Sequence, residues 1–268
     1  MGEKGPSNHL ESSKQRIKQF QEIMSCSTRE LVSKAELAPG EKVLDVGCGD
    51  GSVSLMLAER VGASGRVYAI DISEEKLLLL EERAASLGFT NITTIHGHAE
   101  AILPTFESVD AVYARFVLMH VDEPRQLLKQ MQRALSIGGR AVLEEPIIGV
   151  TYDHPSSGVW EKSTSAYRKL CAAGNVDPDY GLRLPQDAAG SGLDVQHARL
   201  LQSVLSVEKG RDYLISAIKG HRGDYLENGV LTQDEYNELL DAINVYGDSG
   251  VSYCAFHGVM QVIGKKTG

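Results

Sequence analysis

Nine consecutive residues, Val43-Leu44-Asp45-Val46-Gly47-Cys48-Gly49-Asp50-Gly51, put the Asp45 carboxylate just before a turn that holds three glycines. Glycine takes positive φ without strain and lets the backbone come close to a ligand, so Gly47, Gly49 and Gly51 can line a floor for a bound small molecule. The apolar run before the turn reads as a buried strand and the stretch after it as a helix. That puts the turn at a carboxyl strand end, where open α/β sheets bind ligands. Asp71 closes the next apolar run, RVYAID at 66–71, the usual place for a carboxylate that takes ribose hydroxyls. The dinucleotide spacing G-x-G-x-x-G is not met: the third glycine falls one residue early, at Gly51, and Ser52 takes its place. No G-K-[ST] phosphate loop is present. Asp45 is awkward beside a pyrophosphate but suits a ligand with a positive amino group. The plain alternative is a tight turn with no ligand.

The elements that must position these groups follow from periodicity. Apolar residues from Leu10 to Val32 recur at three- and four-residue steps, which predicts a helix over 8–36, stopped at Ala38-Pro39-Gly40. Strands are predicted at 43–47, 66–71, 91–97, 109–115 and 139–146, the last ended by Pro146. Helices are predicted between them at 53–61, 73–88, with Ser73 as cap and Gly88 at the far end, and 124–136. Such alternation is the pattern of a doubly wound, Rossmann-like α/β sheet, mostly parallel and covered on both faces. Beyond 146 the alternation weakens. Helices are expected at 158–173, 209–227 and 232–246, the last opened by a Thr232/Glu235 capping box. A strand falls within 193–205 and a final strand within 251–264. The expected organisation is an N-terminal helical cap at 1–38, a Rossmann-like core at 39–150, a helical lid or substrate region with a sixth strand at 151–250, and a last sheet strand at 251–268, giving seven strands in all.

The motifs then carry a resemblance. D-x-G-x-G-x-G at 45–51 and the acid closing the second strand are similar to the first two motifs of the class I S-adenosylmethionine-dependent methyltransferases. VDAVYARFVLMHV (109–121) resembles that family's fourth-strand segment, and RALSIGGRAVLEEP (133–146) the segment before and within its fifth strand. The resemblance spans 40–146 in order and spacing. It implies S-adenosyl-L-methionine as cofactor, S-adenosyl-L-homocysteine as product, and methyl transfer to O, N or C of a small acceptor. It further implies that Gly47, Cys48, Gly49 and Gly51 pack on the cofactor's methionine and ribose moieties, with Asp45 near its amino end. Asp71 would take the ribose hydroxyls and Ile72 would cover the adenine. By its position after the fourth strand, Arg115 is a candidate to hold the methionine carboxylate bidentately, with a structural ion pair to a neighbouring acid as its alternative. Where the family often writes Gly-Asp-Ala after the third strand, this chain has Gly97-His98-Ala99, so His98 or backbone groups would meet the adenine. The DNA-methylating Asn/Asp-Pro-Pro-aromatic signature is absent; Ala114-Arg115-Phe116-Val117 stands there.

A neutral acceptor must lose a proton, and His120, five residues past Arg115, is the candidate base; a packing role is its alternative. Phe116 and Met119 are candidate walls of the transfer zone. Glu145, Tyr152 and Trp160 are candidate acceptor contacts by position alone. A lid over 151–250 would exclude water; its alternative use is homodimerisation.

Charge and composition remove other classes. Asp and Glu number 36 against 27 Lys and Arg, a formal charge of −9, so a broad nucleic-acid surface is not expected. The polar start and short apolar runs predict neither a signal peptide nor a membrane span. Four scattered cysteines form no C-x-x-C pair, which argues against a zinc site or disulfide framework and fits the cytoplasm. Two other functions stay open: a protein that binds the cofactor without methyl transfer, as a cyclase would, and a nicotinamide oxidoreductase, disfavoured by the glycine spacing.

Overall fold

The computed structural model describes residues 7–248 and 253–268. In chain order its elements are α1 (Ser7–Lys34), β1 (Lys42–Val46), α2 (Ser52–Val61), β2 (Arg66–Asp71), α3 (Glu74–Ser86), β3 (Ile92–His96), α4 (Ala99–Ile102), β4 (Val109–Arg115), α5 (Pro124–Ala134) and β5 (Leu135–Ile147). Next come β6 (Tyr152–His154), α6 (Val159–Ala173), α7 (Leu184–Gly190), β7 (Leu193–Leu201), β8 (Val204–Leu205), α8 (Val207–Gly220), α9 (Arg222–Glu227), α10 (Gln233–Asn244), β9 (Tyr253–Ala255) and β10 (Gly258–Lys266). No described helix is long and apolar enough to cross a membrane.

The chain divides into two compact units, and they interleave instead of following the four expected blocks. A sheet unit holds 27–146, 179–201 and 259–268; a helical unit holds 1–26, 147–178 and 202–258. The long helix α1 contributes its first part to the helical unit and its last turns to the sheet unit.

The sheet unit is the expected seven-stranded α/β sheet, ordered β3-β2-β1-β4-β5-β10-β7. β1 pairs in parallel with both β2 and β4, β2 with β3, and β4 with β5. Strand order reverses at β1, which makes the carboxyl ends of β1 and β4 a topological switch point. β10 runs antiparallel to β7. One core packs α2 and the end of α1 on the sheet through Leu31, Val43, Leu57, Val61 and Val142; a second sets Leu77, Leu80 and Ala84 of α3 against Ala69. Ser73 caps α3 as expected, its hydroxyl accepting from the Lys76 amide.

Several boundaries move. α5 ends at Ala134, and β5 begins at Leu135, earlier than the glycine pair suggested. Gly138 takes φ +84, and a Cβ on Gly139 would come within 2.9 Å of the Ser136 carbonyl, so the pair forms an irregularity within the strand and not its start. Pro146 does not stop β5, which runs one residue further, to Ile147.

In the helical unit, the region expected as one helix over 209–227 is α8 and α9, broken at His221. The capping box on α10 is present, with Thr232 and Glu235 bonded reciprocally. The expected final strand is two: β9 joins β6 and β8 in a separate three-stranded sheet, while β10 joins the large one. Residues 251 and 252 of that expectation lie outside the described residues. The unit's core gathers Trp160, Leu214, Ile218, Tyr225, Leu239, Ile243 and Phe256.

Candidate functional site

β1 delivers the glycine turn. Gly47, Gly49 and Gly51 have φ of +67, +57 and +77, all left-handed. Their uses differ. A Cβ on Gly47 would lie 2.4 Å from Val117 Cγ2, and one on Gly51 2.1 Å from Leu80 Cδ1, so these two glycines let neighbouring elements close in. A Cβ on Gly49 would meet nothing within 4 Å, so this residue faces open space. The Gly49 amide donates to Asp71 Oδ2 at 2.8 Å, and the Ser73 amide donates to Asp71 Oδ1 at 2.9 Å. Each carboxylate oxygen keeps further acceptor capacity, and Asp71 retains 8% exposure. Beside it Ile72 is 63% exposed, an apolar side chain left uncovered at a strand end. His98 is exposed and precedes α4 without capping it by its side chain; Ala99 opens that helix. Cys48 is buried, and burial together with Asp45 and Asp71 pushes its thiol well above the ordinary range, so it is no nucleophile.

Beneath the turn lies a buried polar layer. Asp45 on β1 accepts from the Ser54 hydroxyl at 2.5 Å. Burial lifts its carboxyl to about 7, against the opposing pull of Ser54 and the Arg115 charge. Arg115, closing β4, donates from Nη1 to Thr28 Oγ1 at 3.3 Å. The fully buried Glu144 accepts from Thr28 Oγ1 at 2.9 Å, from Gln261 Nε2 at 2.8 Å and from the Tyr113 hydroxyl. A buried carboxylate is tolerable only with such donors. Glu144, Tyr113, Thr28 and Gln261 come from β5, β4, α1 and β10, and no sequence spacing links them.

After β4 the backbone turns sharply. Phe116 takes φ +59, a strained conformation for a bulky side chain. Glu145 fixes the next three residues: its Oε1 accepts from the amides of Val117 at 2.9 Å and Leu118 at 2.7 Å, and its Oε2 from that of Met119 at 3.3 Å. The expectation that Glu145 contacts the acceptor is therefore corrected. The residue is fully buried, and its carboxylate is turned inward on the orphan amides of this loop. The two acids ending an apolar strand were visible in the sequence, but the loop's demand for acceptors was not. Phe116 is half-buried, Met119 is buried, and His120 is exposed at the end of a single turn, Leu118–His120. Desolvation, and then the charge of Lys76, hold the His120 imidazole below its ordinary pKa.

Tyr152 and Trp160 belong to the helical unit. Tyr152 is exposed on β6, edge-on to Tyr253 at 6.4 Å between centroids. Trp160 is corrected from an acceptor contact to a core residue: it is 3% exposed within the unit's hydrophobic cluster. Its ring approaches within 3.3 Å of where a Cβ on Gly210 would stand, so the glycine makes room for it.

Comparison with known proteins matches residues 37–220, more than half of the chain, to the family described as methyltransferase domain. The demethylmenaquinone methyltransferase of Anoxybacillus flavithermus is 34% identical over 117 residues, covering 44% of this chain and 49% of that protein. The chain thus spans about half the length of the curated relatives it matches. Among solved structures, a candidate methyltransferase from Bacillus halodurans C-125 superimposes with a TM-score of 0.62 at 19% identity, over 89% of this chain and 98% of that one. The [4+2]-cyclase SpnF superimposes at 0.56 with 17% identity, over 90% and 80%; likenesses of this kind speak for the fold alone. Family match, strand order and the glycine turn over an acid on the adjacent strand agree, and the chain belongs to the methyltransferase-domain family, class I and S-adenosylmethionine-dependent.

Proposed function

We propose that the protein transfers a methyl group from S-adenosyl-L-methionine to an O, N or C atom of a small-molecule acceptor, leaving S-adenosyl-L-homocysteine. One observation carries the assignment of the site. Gly49 faces open space, and its amide is one of two backbone amides that hold the Asp71 carboxylate. The surrounding residues suit the cofactor's parts. Asp71 has the acceptor capacity for ribose hydroxyls, Ile72 offers an apolar face for the adenine, and His98 and Ala99 stand where the adenine edge would be read. Asp45, a buried acid, would be favoured in its charged form by a nearby ammonium. Arg115, braced on Thr28, would take the methionine carboxylate. The cofactor supplies an electrophilic methyl on a sulfonium, so the protein's work is positioning the acceptor, excluding water and accepting a proton. Phe116 and Met119 would border the transferred methyl, and His120 would accept the acceptor's proton.

The cytoplasm is the compartment we infer, in keeping with cysteines Cys26, Cys48, Cys171 and Cys254 that are not joined in disulfides.

Calorimetry of the purified chain with S-adenosylhomocysteine tests the cofactor site, and absence of binding would refute it. Appearance of S-adenosylhomocysteine from S-adenosylmethionine in the presence of acceptor supports transfer. Turnover of substrate without that product would favour a cyclase-like use of the cofactor instead.

A further inference from the structure

The hydrogen bonds beneath the glycine turn run in one direction. On the buried face of the last turns of α1, Leu31, Val32 and Ala35 are apolar, but Thr28, at 0% exposure, is not. Valine has the shape of threonine, so packing alone does not call for the hydroxyl. That hydroxyl has one hydrogen to give. Arg115 Nη1, 3.3 Å away, can only donate, so Thr28 Oγ1 accepts from it and spends its own hydrogen on Glu144 Oε1 at 2.9 Å.

Gln261 fixes the far end. Its Oε1 accepts from Arg199 Nη2 at 3.2 Å, which turns Nε2 toward two acceptors, Glu144 Oε2 at 2.8 Å and the Ser27 carbonyl at 3.2 Å. The opposite amide orientation would set oxygen against oxygen twice and nitrogen against a guanidinium once. Tyr113 also donates to Glu144 Oε1, so a carboxylate with no exposure is held by three side chains. Arg115 therefore leans on a hydroxyl that is itself locked from β4, β5 and β10. All of these residues belong to the sheet unit.

The outer end of this relay is well placed. Arg115 closes β4 at the switch point, on the edge of the sheet where ligands bind. A guanidinium recognises a carboxylate through two parallel N–H bonds, which requires its plane to be fixed. A bond from one Nη to an immobile hydroxyl restrains that plane.

We propose that Thr28 is a positioning residue: backed by Glu144 and Gln261, it aims the Arg115 guanidinium at the methionine carboxylate and so sets the preference of the site for a ligand that carries one. That Arg115 takes the carboxylate rests on the function proposed above; the control of this preference by a buried hydroxyl of α1 is the addition.

The test is isothermal titration of the full chain with S-adenosylhomocysteine and with its decarboxylated analogue, which keeps the adenosine, the sulfur and the amino group and lacks only the carboxylate. The parent should bind the first about tenfold or more tighter, since charge-assisted bonds are at stake. Thr28→Val should cut that ratio by about threefold or more, and Thr28→Ser should keep it. On an Arg115→Met background, where the ratio is already low, Thr28→Val should change it no further. 5′-Deoxy-5′-methylthioadenosine lacks the whole amino-acid end, so it should bind Thr28→Val like the parent and report an intact fold. Should that check fail, Glu144→Gln, which keeps the shape and removes the charge behind Thr28, decides by the same ratio. A parent that binds neither homocysteine ligand, or both equally, overturns the cofactor role of Arg115 and this proposal together. A ratio that falls in Arg115→Met but holds in Thr28→Val overturns this proposal alone. So does a Thr28→Val variant that weakens both ligands alike, because a merely structural hydroxyl would do the same.

Discussion

The Gly49 amide donates to Asp71 Oδ2 at 2.8 Å, so the turn after β1 and the acid ending β2 form one hydrogen-bonded unit. The acid therefore does two jobs, shaping the turn and presenting its remaining lone pairs outward.

Asp71→Ala should weaken S-adenosylhomocysteine binding by about 1–3 kcal/mol, roughly five- to 150-fold, because charge-assisted bonds are lost. Asp71→Asn should fall between, since the amide oxygen can serve the Gly49 or the Ser73 amide but not both. Calorimetry on both variants checks this; unchanged affinity in Asp71→Ala removes the residue from the site.

The glycines should separate binding from folding. Gly49→Ala places its Cβ in open space at φ +57, so it should cost about 1–2 kcal/mol of backbone strain and greatly weaken cofactor binding. Gly47→Ala would put a Cβ 2.4 Å from Val117 Cγ2, so it should lower the unfolding midpoint more than Gly49→Ala does. Urea unfolding beside calorimetry distinguishes them, and a Gly49→Val variant that binds normally would contradict the open-face assignment.

The contrast between these two glycines also marks where sequence reading stops. Local spacing located the turn, Asp71, the strand order's raw material and the Thr232 cap, because each is written within a few residues. It did not separate Gly49 from Gly47, since the difference is what lies across the turn: nothing for one, Val117 for the other. The Glu144 network draws on four elements, and the role of Glu145 depends on a loop conformation set by Phe116. Trp160 looked like a pocket wall by position, yet Gly210, fifty residues away in sequence, makes it a core residue. Long-range packing decides such cases, and a single sequence does not display it.

Asp45 should couple cofactor binding to pH. Its folded-state pKa of about 7 stands above the ordinary 3.8, so the folded protein holds this proton more tightly than the unfolded chain. The resulting contribution favours folding at low pH and is lost as pH rises from 3.8 to about 7. A bound ammonium would favour the carboxylate and expel the proton. Affinity for S-adenosylhomocysteine should therefore rise as pH increases toward 7, with proton release detectable from calorimetry in buffers of different ionisation enthalpy. Asp45→Asn should abolish the release; an unaltered proton balance would separate Asp45 from the ligand's amino group.

Glu145 should be a stability residue. Glu145→Ala would strand the amides of Val117, Leu118 and Met119 and should cost about 2–4 kcal/mol in denaturant unfolding. Glu145→Gln keeps one oxygen, enough for the two shorter bonds to Val117 and Leu118, and should cost less. A loss under about 0.5 kcal/mol in the alanine variant, the range of an ordinary surface substitution, would show that the loop holds its shape without it.

His120 stands apart from the groups that shape the site, since it is exposed and sits after the loop that Glu145 fixes. Burial of part of the ring and the Lys76 charge hold it below 6.5, so at neutral pH it is uncharged and able to accept a proton. If it serves as the base, His120→Ala should lower kcat by roughly ten- to a hundredfold, at the low end of general-base effects because the methyl donor is already activated. Affinity for S-adenosylhomocysteine should stay as in the parent, because the residue is assigned to the acceptor. In the parent, protonation removes the base as pH falls, so kcat should decline on the acid side below pH 6.5, and this limb should vanish in the variant. Single-turnover rates across pH for both proteins resolve the matter: a variant with full activity and an unchanged acid limb would take His120 out of the chemistry and leave orientation of the acceptor as the protein's whole contribution.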